Sequence, residues 1–316
     1  MNSTEKYIAD NKKVFSTKTR KKNHTSKPKA FIGGSFFNLF KYHLKSCIRT
    51  ILYYPIALYA GKNFLRKTLT LSGSASNRRA LVIGNGPSQG YLEASELNNF
   101  VKEGGETFCV NNYYLNKKLS EHVPSWMLFS DPFTFIKTNI TPNTVELVNY
   151  LKNNSSIKIV VPTTMIKELQ EMGLKNQIYC FVDLELSIFE GINPLFPRGY
   201  MSLTLYKALA WSIYLGYKSI GVIGMDNTLP RNIYNTEDNR VHVIANQAGT
   251  DDCLVDVSSH HSNVASYYYD VFKIFHHLEY FPNKNIFNLD PYSLTDRFRK
   301  VKKEDFFEDK IDKLNW

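Results

Sequence analysis

The segment Gly84-Asn85-Gly86-Pro87-Ser88 follows directly on the apolar run 80–83. Two glycines let a backbone turn sharply and approach a ligand closely. Pro87 fixes its own φ, and Ser88 is of the type that caps a following helix. Backbone amides and a helix N-terminus at such a turn face an anion, as they do in nucleotide sites. The pattern is neither G-x-G-x-x-G nor a Walker A loop, so neither a dinucleotide fingerprint nor an ATP-type loop is supported. A tight strand-to-helix turn without a ligand is the plainer alternative. Three further apolar runs end in polar groups. Asn111 and Asn112 follow Val110 and precede two tyrosines, and an amide both donates to and accepts from a base or sugar. Asp131 follows Phe129-Ser130 and suits ribose hydroxyls; Asp226 follows Gly224-Met225 and suits a sugar. Asn and Asp-Pro are also ordinary turn residues.

A second group lies nearer the C-terminus. His260 and His261 stand in the polar stretch 257–262. Imidazole titrates near neutrality and is the usual base for a sugar hydroxyl. The competing chemistry is a hard-cation site from Asp251, Asp252, Asp256, His260 and His261. Their spacing matches no standard ligand pattern, and no metal site is expected. Tyr234 supplies a hydroxyl after the Asp226 strand. Arg198 stands just before a long helix, where a guanidinium can pair with a phosphate or carboxylate; an exposed loop arginine is the alternative. His276 and His277 lie on an apolar-aromatic stretch, 267–280, and read as structural.

These groups need elements to hold them. Short apolar runs at 80–83, 106–110, 126–129, 157–161, 178–182, 219–224 and 285–289 read as buried strands. Residues 201–217 carry a helical pattern in Leu205, Leu209 and Ile213, with Gly216 as its C-cap. Strands alternating with helices and loops predict an α/β domain over residues 78–300, with a mainly parallel, Rossmann-like sheet and helices on both faces. In such sheets ligands bind at the carboxyl ends of strands, where the polar groups above fall.

Charge divides the chain. Residues 1–70 hold 15 Lys/Arg and two acids, Glu5 and Asp10; the other 246 residues hold 24 Lys/Arg and 27 acids. The net charge of +10 therefore belongs to the N-terminal part, and a nucleic-acid-binding core is not expected. Residues 1–34 read as a disordered basic tail. Residues 35–77 read as a basic, aromatic-rich amphipathic segment followed by a small-residue linker. Lipid attraction of roughly 1 kcal/mol per nearby Lys or Arg favours an anionic membrane surface as partner. A helix that packs on the domain and happens to be basic is the alternative. No run of 18 apolar residues occurs, and Pro55 interrupts the longest, 51–60. Cys47, Cys109, Cys180 and Cys253 form no C-x-x-C pair and read as buried thiols in a reducing cytoplasm. Residues 301–316 read as a charged tail. Aromatic residues, 14% of the chain, suit sugar stacking or homo-oligomer contacts.

The ordered pieces 84–88, 111–115, 129–132, 215–226, 261–262 and 289–294 together resemble a family. This is the bacterial sialyltransferases of glycosyltransferase family 42, with related capsule, lipooligosaccharide and O-antigen proteins. The resemblance spans residues 78–300. It implies a GT-A-like variant of the Rossmann-like domain, binding a CMP-activated sugar without metal or other cofactor. By resemblance, the Gly84–Gly86 turn with Asn85 and Ser88 contacts the donor's phosphate and sugar, and Asn111 holds the donor beside Asn112. Asp131 falls where those enzymes often have Asn or Thr beside Pro. His261 falls at the base that deprotonates the acceptor hydroxyl, and Arg198 at an acceptor-side arginine. Where the family has tyrosines that assist the departing phosphate, Asn227 and Thr228 stand here, and Tyr234 is the nearby tyrosine. The implied activity is transfer of a sialic-acid-like (nonulosonic) sugar to a hydroxyl of a cell-surface glycan. Its implied place is the cytoplasmic face of the inner membrane, as a peripheral protein. Parts of the pattern are shared with pterin pyrophosphokinase-like proteins and flagellin glycosylation factors. A different nucleotide-sugar donor, or a Mg-dependent pyrophosphokinase, are the alternative activities.

Overall fold

Apolar runs such as 80–83, 107–110 and 220–223 cannot leave a face in water, and the fold covers both of theirs. The computed structural model describes residues 36–131, 134–135, 142–186, 189, 191–198, 203–226, 233–235, 241–245, 253–256 and 274–311. Residues 36–39, 42, 142–143 and those between 233 and 256 are described at backbone level. Helix α1 (Phe36–Leu69) leads into β1 (Arg79–Ile83), α2 (Ala94–Lys102), β2 (Glu106–Val110) and β3 (Trp126–Leu128). Then come α3 (Pro142–Asn153), β4 (Lys158–Pro162), α4 (Ile166–Glu171), β5 (Ile178–Phe181), α5 (Thr204–Leu215) and β6 (Ser219–Ile223). Strands β7 (Ile233–Asn235), β8 (Val241–Ala245) and β9 (Cys253–Asp256) precede β10 (Ile286–Asn288), β11 (Arg299–Lys300) and α6 (Lys303–Phe307).

The main sheet has eight strands in the order β11-β10-β6-β1-β2-β3-β4-β5, and every neighbouring pair is parallel. The chain builds outward from β1 to β5, then returns to lay β6 on the other side of β1. The direction of winding thus reverses between β1 and β6. Alternate residues of each strand enter two separate cores. Leu81, Ile83, Cys109 and Met127 meet Leu97 and Phe100 of α2, Leu147 and Leu151 of α3, and Leu169 of α4. Ala80, Val82, Phe108 and Leu128 meet Leu205, Leu209 and Trp211 of α5. Helices therefore lie on both faces, as the strand pattern implied. Strands β7, β8 and β9 form a small antiparallel sheet that the periodicity did not announce.

Helix α5 ends where expected: Gly216 takes φ 83° and its N–H bonds back to Ile213 O at 2.9 Å. Helix α1 runs unbroken for 34 residues through Pro55. One of its faces packs on the edge strand β5 and the turn after β4. Thr68 Oγ1 donates to Cys180 O at 3.1 Å, and Thr50 Oγ1 to Glu185 O at 2.6 Å. Residues 69–77, which read from sequence as a linker, start at the last residue of α1 and are bonded to the end of α5: Gly73 N donates to Tyr214 O and Ala75 N to Leu215 O. The expected tail 301–316 is part of the domain through Ile311, because Phe306 and Ile311 are buried in the core. A run of charges hid those two apolar anchors.

Candidate functional site

Strands β1 and β6 are parallel neighbours, so their carboxyl ends leave the sheet side by side. Gly84 N donates to Ile223 O at 2.8 Å, and Gly86 N to Gly224 O at 3.1 Å. The two turns touch backbone to backbone. A Cβ on Gly84 would lie 2.3 Å from Gly224 O, and one on Gly224, at φ 73°, would lie 2.2 Å from Gly84 O. Only glycine fits either place. Pro87 opens a five-residue 3-10 helix, Pro87–Tyr91, where the sequence suggested a regular helix; α2 begins only at Ala94. Ser88 is buried and braces the paired turns. Its Oγ accepts from Gly224 N at 2.8 Å, and its N–H donates to Asp226 Oδ1 at 3.0 Å. Asn85 is the half-buried side chain of this turn.

Asp226 is buried beside Asp290, a residue at the end of β10 that the sequence reading passed over. Burial first, and then the hydrogen bond and charge of Asp290, push the Asp226 carboxyl up to about 7. A hydrogen bond between two carboxyls requires a proton on one of them, which the pair shares. Among the described residues, Asp226 Oδ2 has no hydrogen-bond partner apart from that carboxyl. The loop after β10 fixes the arrangement. Ser293 Oγ donates to Met225 O at 2.8 Å, Leu294 N to Asp226 O at 3.0 Å, and Tyr292 N to Asp290 Oδ1 at 2.9 Å. Asn288 Oδ1 accepts from Asp290 N at 3.1 Å. Asp290 follows its strand as Asp131 and Asp226 follow theirs, so the strand-end rule applied to β10 would have found it.

The first turn of α5 gathers the remaining strand ends. Asn111, at φ 43°, donates from Nδ2 to Thr204 Oγ1 at 3.1 Å, and the Thr204 and Ser130 hydroxyls lie 2.6 Å apart. Asn111 Oδ1 is buried with no donor in reach among the described residues. Leu205 packs against the Gly84 turn. Lys207 Nζ donates to Asp183 Oδ2 at 2.9 Å, and Arg198 Nη2 donates to Asp183 Oδ1 at 2.9 Å and to Val182 O at 3.2 Å. Arg198 is thus a buried group, stacked 5.1 Å over the Phe181 ring, and not an exposed loop arginine. Burial lowers the pKa of both cations against the opposing pull of Asp183. Among the described residues, the one Asp183 carboxylate pairs with both buried cations. Asn112 and Asp131 lie beside this region, and both are exposed. Thr204, Ser130, Asp183 and Lys207 were not singled out by sequence, since each becomes polar company for the others only when β2, β3 and β5 share an edge.

The carboxyl edge differs from the opposite one. At the amino edge Glu106 accepts from Trp126 Nε1, Lys158 Nζ and the Tyr217 hydroxyl, and it pairs with Arg78. Burial raises its pKa, but these bonds outweigh that and hold it below the usual range. At the carboxyl edge, by contrast, the described residues leave the Asn111 amide oxygen without a partner and set two buried cations on the one Asp183 carboxylate. Of the other predicted groups, Tyr234 has its backbone in β7 opposite His242. His260, His261, Asp251 and Asp252 lie outside the described residues, and Asp256 closes β9. Among the described residues, no three His, Cys, Asp or Glu side chains are grouped to hold a metal ion.

No family model and no curated protein matches the chain. Among solved structures, it is similar to the MAf glycosyltransferase from Magnetospirillum magneticum AMB-1, at 12% identity and a TM-score of 0.45. That likeness covers 74% of this chain and 35% of the other, so the chain spans about a third of that protein's length.

Proposed function

We propose that this protein is a glycosyltransferase whose nucleotide-sugar donor sits over the paired turns after β1 and β6. The observation that carries this reading is the backbone contact of Gly84 with Gly224 at the reversal of winding. Doubly wound sheets bind nucleotides in the crevice at that point. The donor we favour is a CMP-activated nonulosonic sugar, from the ordered motifs that resemble the family 42 sialyltransferases. In this scheme Asn85 and Asn111 contact the donor, and Asp226 shapes its pocket from below. His261, or its neighbour His260, takes the proton from an acceptor glycan hydroxyl. The alkoxide then attacks the anomeric carbon as the bond to CMP breaks. The phosphate leaves with its electron pair and is stabilised by hydrogen bonds, including one from Tyr234, without a metal.

A thermal-shift titration of the full chain tests this with CMP, CDP, UDP, GDP and ATP, each with and without Mg²⁺. A ligand bound to the native state at 100 times its Kd adds about 2.7 kcal/mol of stability. Stabilisation by CMP alone supports the scheme. Stabilisation by UDP or GDP only keeps a glycosyltransferase but removes the CMP donor. Stabilisation by ATP only with Mg²⁺ moves the protein to the pyrophosphokinases. If CMP binds, His261→Ala should leave that shift intact and slow transfer by roughly 10²–10⁴-fold. Unchanged transfer would remove His261 as the base.

A further inference from the structure

We propose that the outer face of α1, together with the apolar groove beside it, seats the protein on an anionic lipid bilayer. Helix α1 has two working faces. Thr50, Ala57, Gly61, Leu65 and Thr68 form the inner ridge and are buried against the domain. Leu44, Ile48, Ile51, Leu52, Ile56 and Tyr59 form an outer stripe at helical spacing. Ile51 is 71% exposed and Tyr59 84%. A stripe of this extent in water marks an interaction surface.

The charge of the helix selects the occupant. Lys41, Lys45, Arg49, Lys62, Arg66 and Lys67 are all exposed, and residues 36–69 contain no Asp or Glu. A second copy docked through this face would bring like charges together, which opposes association. An anionic lipid surface meets both requirements at once: its acyl region takes the stripe and its headgroups take the cations. The basic residues of 1–35 add to the same attraction. The helix lies on the bilayer instead of crossing it. The uncharged stretch between Arg49 and Lys62 is 12 residues, against the roughly 20 that a span needs, and no described helix is long and apolar enough to cross. Pro55 sits on the exposed side of this stretch.

The groove adds a place for an apolar chain. A cavity of about 340 Å³ opens between α1 and the domain, lined by Tyr54, Leu58, Leu65, Leu69, Leu195 and Tyr214. Leu58 and Leu69 also belong to the exposed apolar surface, so groove and stripe are continuous. This seat does not depend on the nucleotide reading, since vesicle binding can fail while the CMP shift persists, and the reverse.

The test is co-sedimentation of the full chain with phosphatidylcholine vesicles, with and without phosphatidylglycerol, at low and high salt. The wild type should bind the anionic vesicles and release at high salt. I48S/I51S/L52S/Y59S changes only exposed side chains and should keep the wild-type melting curve while losing about tenfold in vesicle affinity. K45Q/R49Q/K62Q/R66Q should remove the preference for phosphatidylglycerol. The emission that Tyr59→Trp adds to the wild type's own three tryptophans should shift to the blue on vesicles, reporting a dry environment at that position. Three results would overturn the proposal. One is full vesicle binding by the stripe variant, which assigns recruitment to residues 1–35. Another is an emission of the Tyr59→Trp variant that vesicles leave unmoved. The third is a wild-type dimer that the stripe variant splits, which assigns the face to a second copy.

Discussion

At position 86 a single methyl group has nowhere to go, because a Cβ there would lie 1.9 Å from Asp226 Oδ2. Gly86→Ala must displace Asp226, and with it the bond from Ser88 N. We expect a loss of about 1–3 kcal/mol in urea unfolding, and loss of any nucleotide-dependent rise in Tm. A fully stable variant that still responds to nucleotide would separate the turn from the ligand. Asp226 itself makes stability depend on pH. Its carboxyl, raised to about 7 when folded, falls to an ordinary value near 3.9 when unfolded. The folded chain then holds a proton that the unfolded chain has lost. The stabilisation is complete below about pH 4 and disappears as pH rises through about 7. His122, lowered by burial to about 4, has the opposite slope between there and its ordinary 6.5. Subtracting Asp226→Asn from the wild type cancels His122. The variant should gain on the wild type between about pH 4 and about 7 in urea titrations; parallel curves would show that Asp226 does not hold the proton. Asp183→Ala leaves Arg198 and Lys207 buried without a counter-charge. It should cost about 3–5 kcal/mol, more than most surface acids.

Two helices set the geometry at the next scale. Helix α5 reaches the ends of β1, β2, β3 and β5 with Leu205, Thr204 and Lys207, all from its first turn. Its register is fixed at the other end by Gly216. A Cβ there would meet Gly73 Cα at 2.9 Å in a backbone conformation that other residues resist. Helix α1 is held by the absence of a side chain at Gly61, whose Cβ would come 2.6 Å from Thr163 Cγ2. Gly61→Val should lift α1 from the β5 edge. We expect about 1–3 kcal/mol of destabilisation, with faster proteolysis at residues 70–77 and little change at β1 and β6. Equal loosening of the central strands would mean that α1 is not a separable layer.

For the molecule as a whole, the central position of β1 and β6 makes the site's floor the best-supported part of the sheet. β1 is hydrogen-bonded on both sides, and its residues are all buried. Amide exchange should be slowest there. If a nucleotide lies over the paired turns, adding it should slow exchange at 84–91 and 224–226 together, and through the Leu294 and Ser293 bonds at 289–295 as well. Protection confined to one turn would break the link between them.

Much of the architecture was legible locally. Strands buried on both faces leave uninterrupted apolar runs, and each expected run is a strand. Gly216 and Gly224 mark their turns because they take a left-handed backbone that glycine tolerates best, and Gly84 and Gly86 mark theirs because a Cβ would collide with Gly224 O and with Asp226. The charge split at residue 70 and the apolar-basic character of 36–69 needed only counting. Other features are relations between distant segments, and composition cannot carry those. Ser88 looked like a helix cap or phosphate contact, yet its neighbour in space is Gly224, 136 residues away, and it serves as a brace. Arg198 reads as an acceptor-side arginine or an exposed loop residue, yet Asp183 and Phe181 enclose it once β5 and α5 are in place. Phe306 was lost among charges because one aromatic has no periodicity. Burial and φ restrictions act residue by residue, so the strands, the turns and the distribution of charge can be read from the chain locally. That β6 lies beside β1, that Asp226 faces Asp290, and which face of α1 stays exposed all depend on strand order, and they emerge only in the folded molecule.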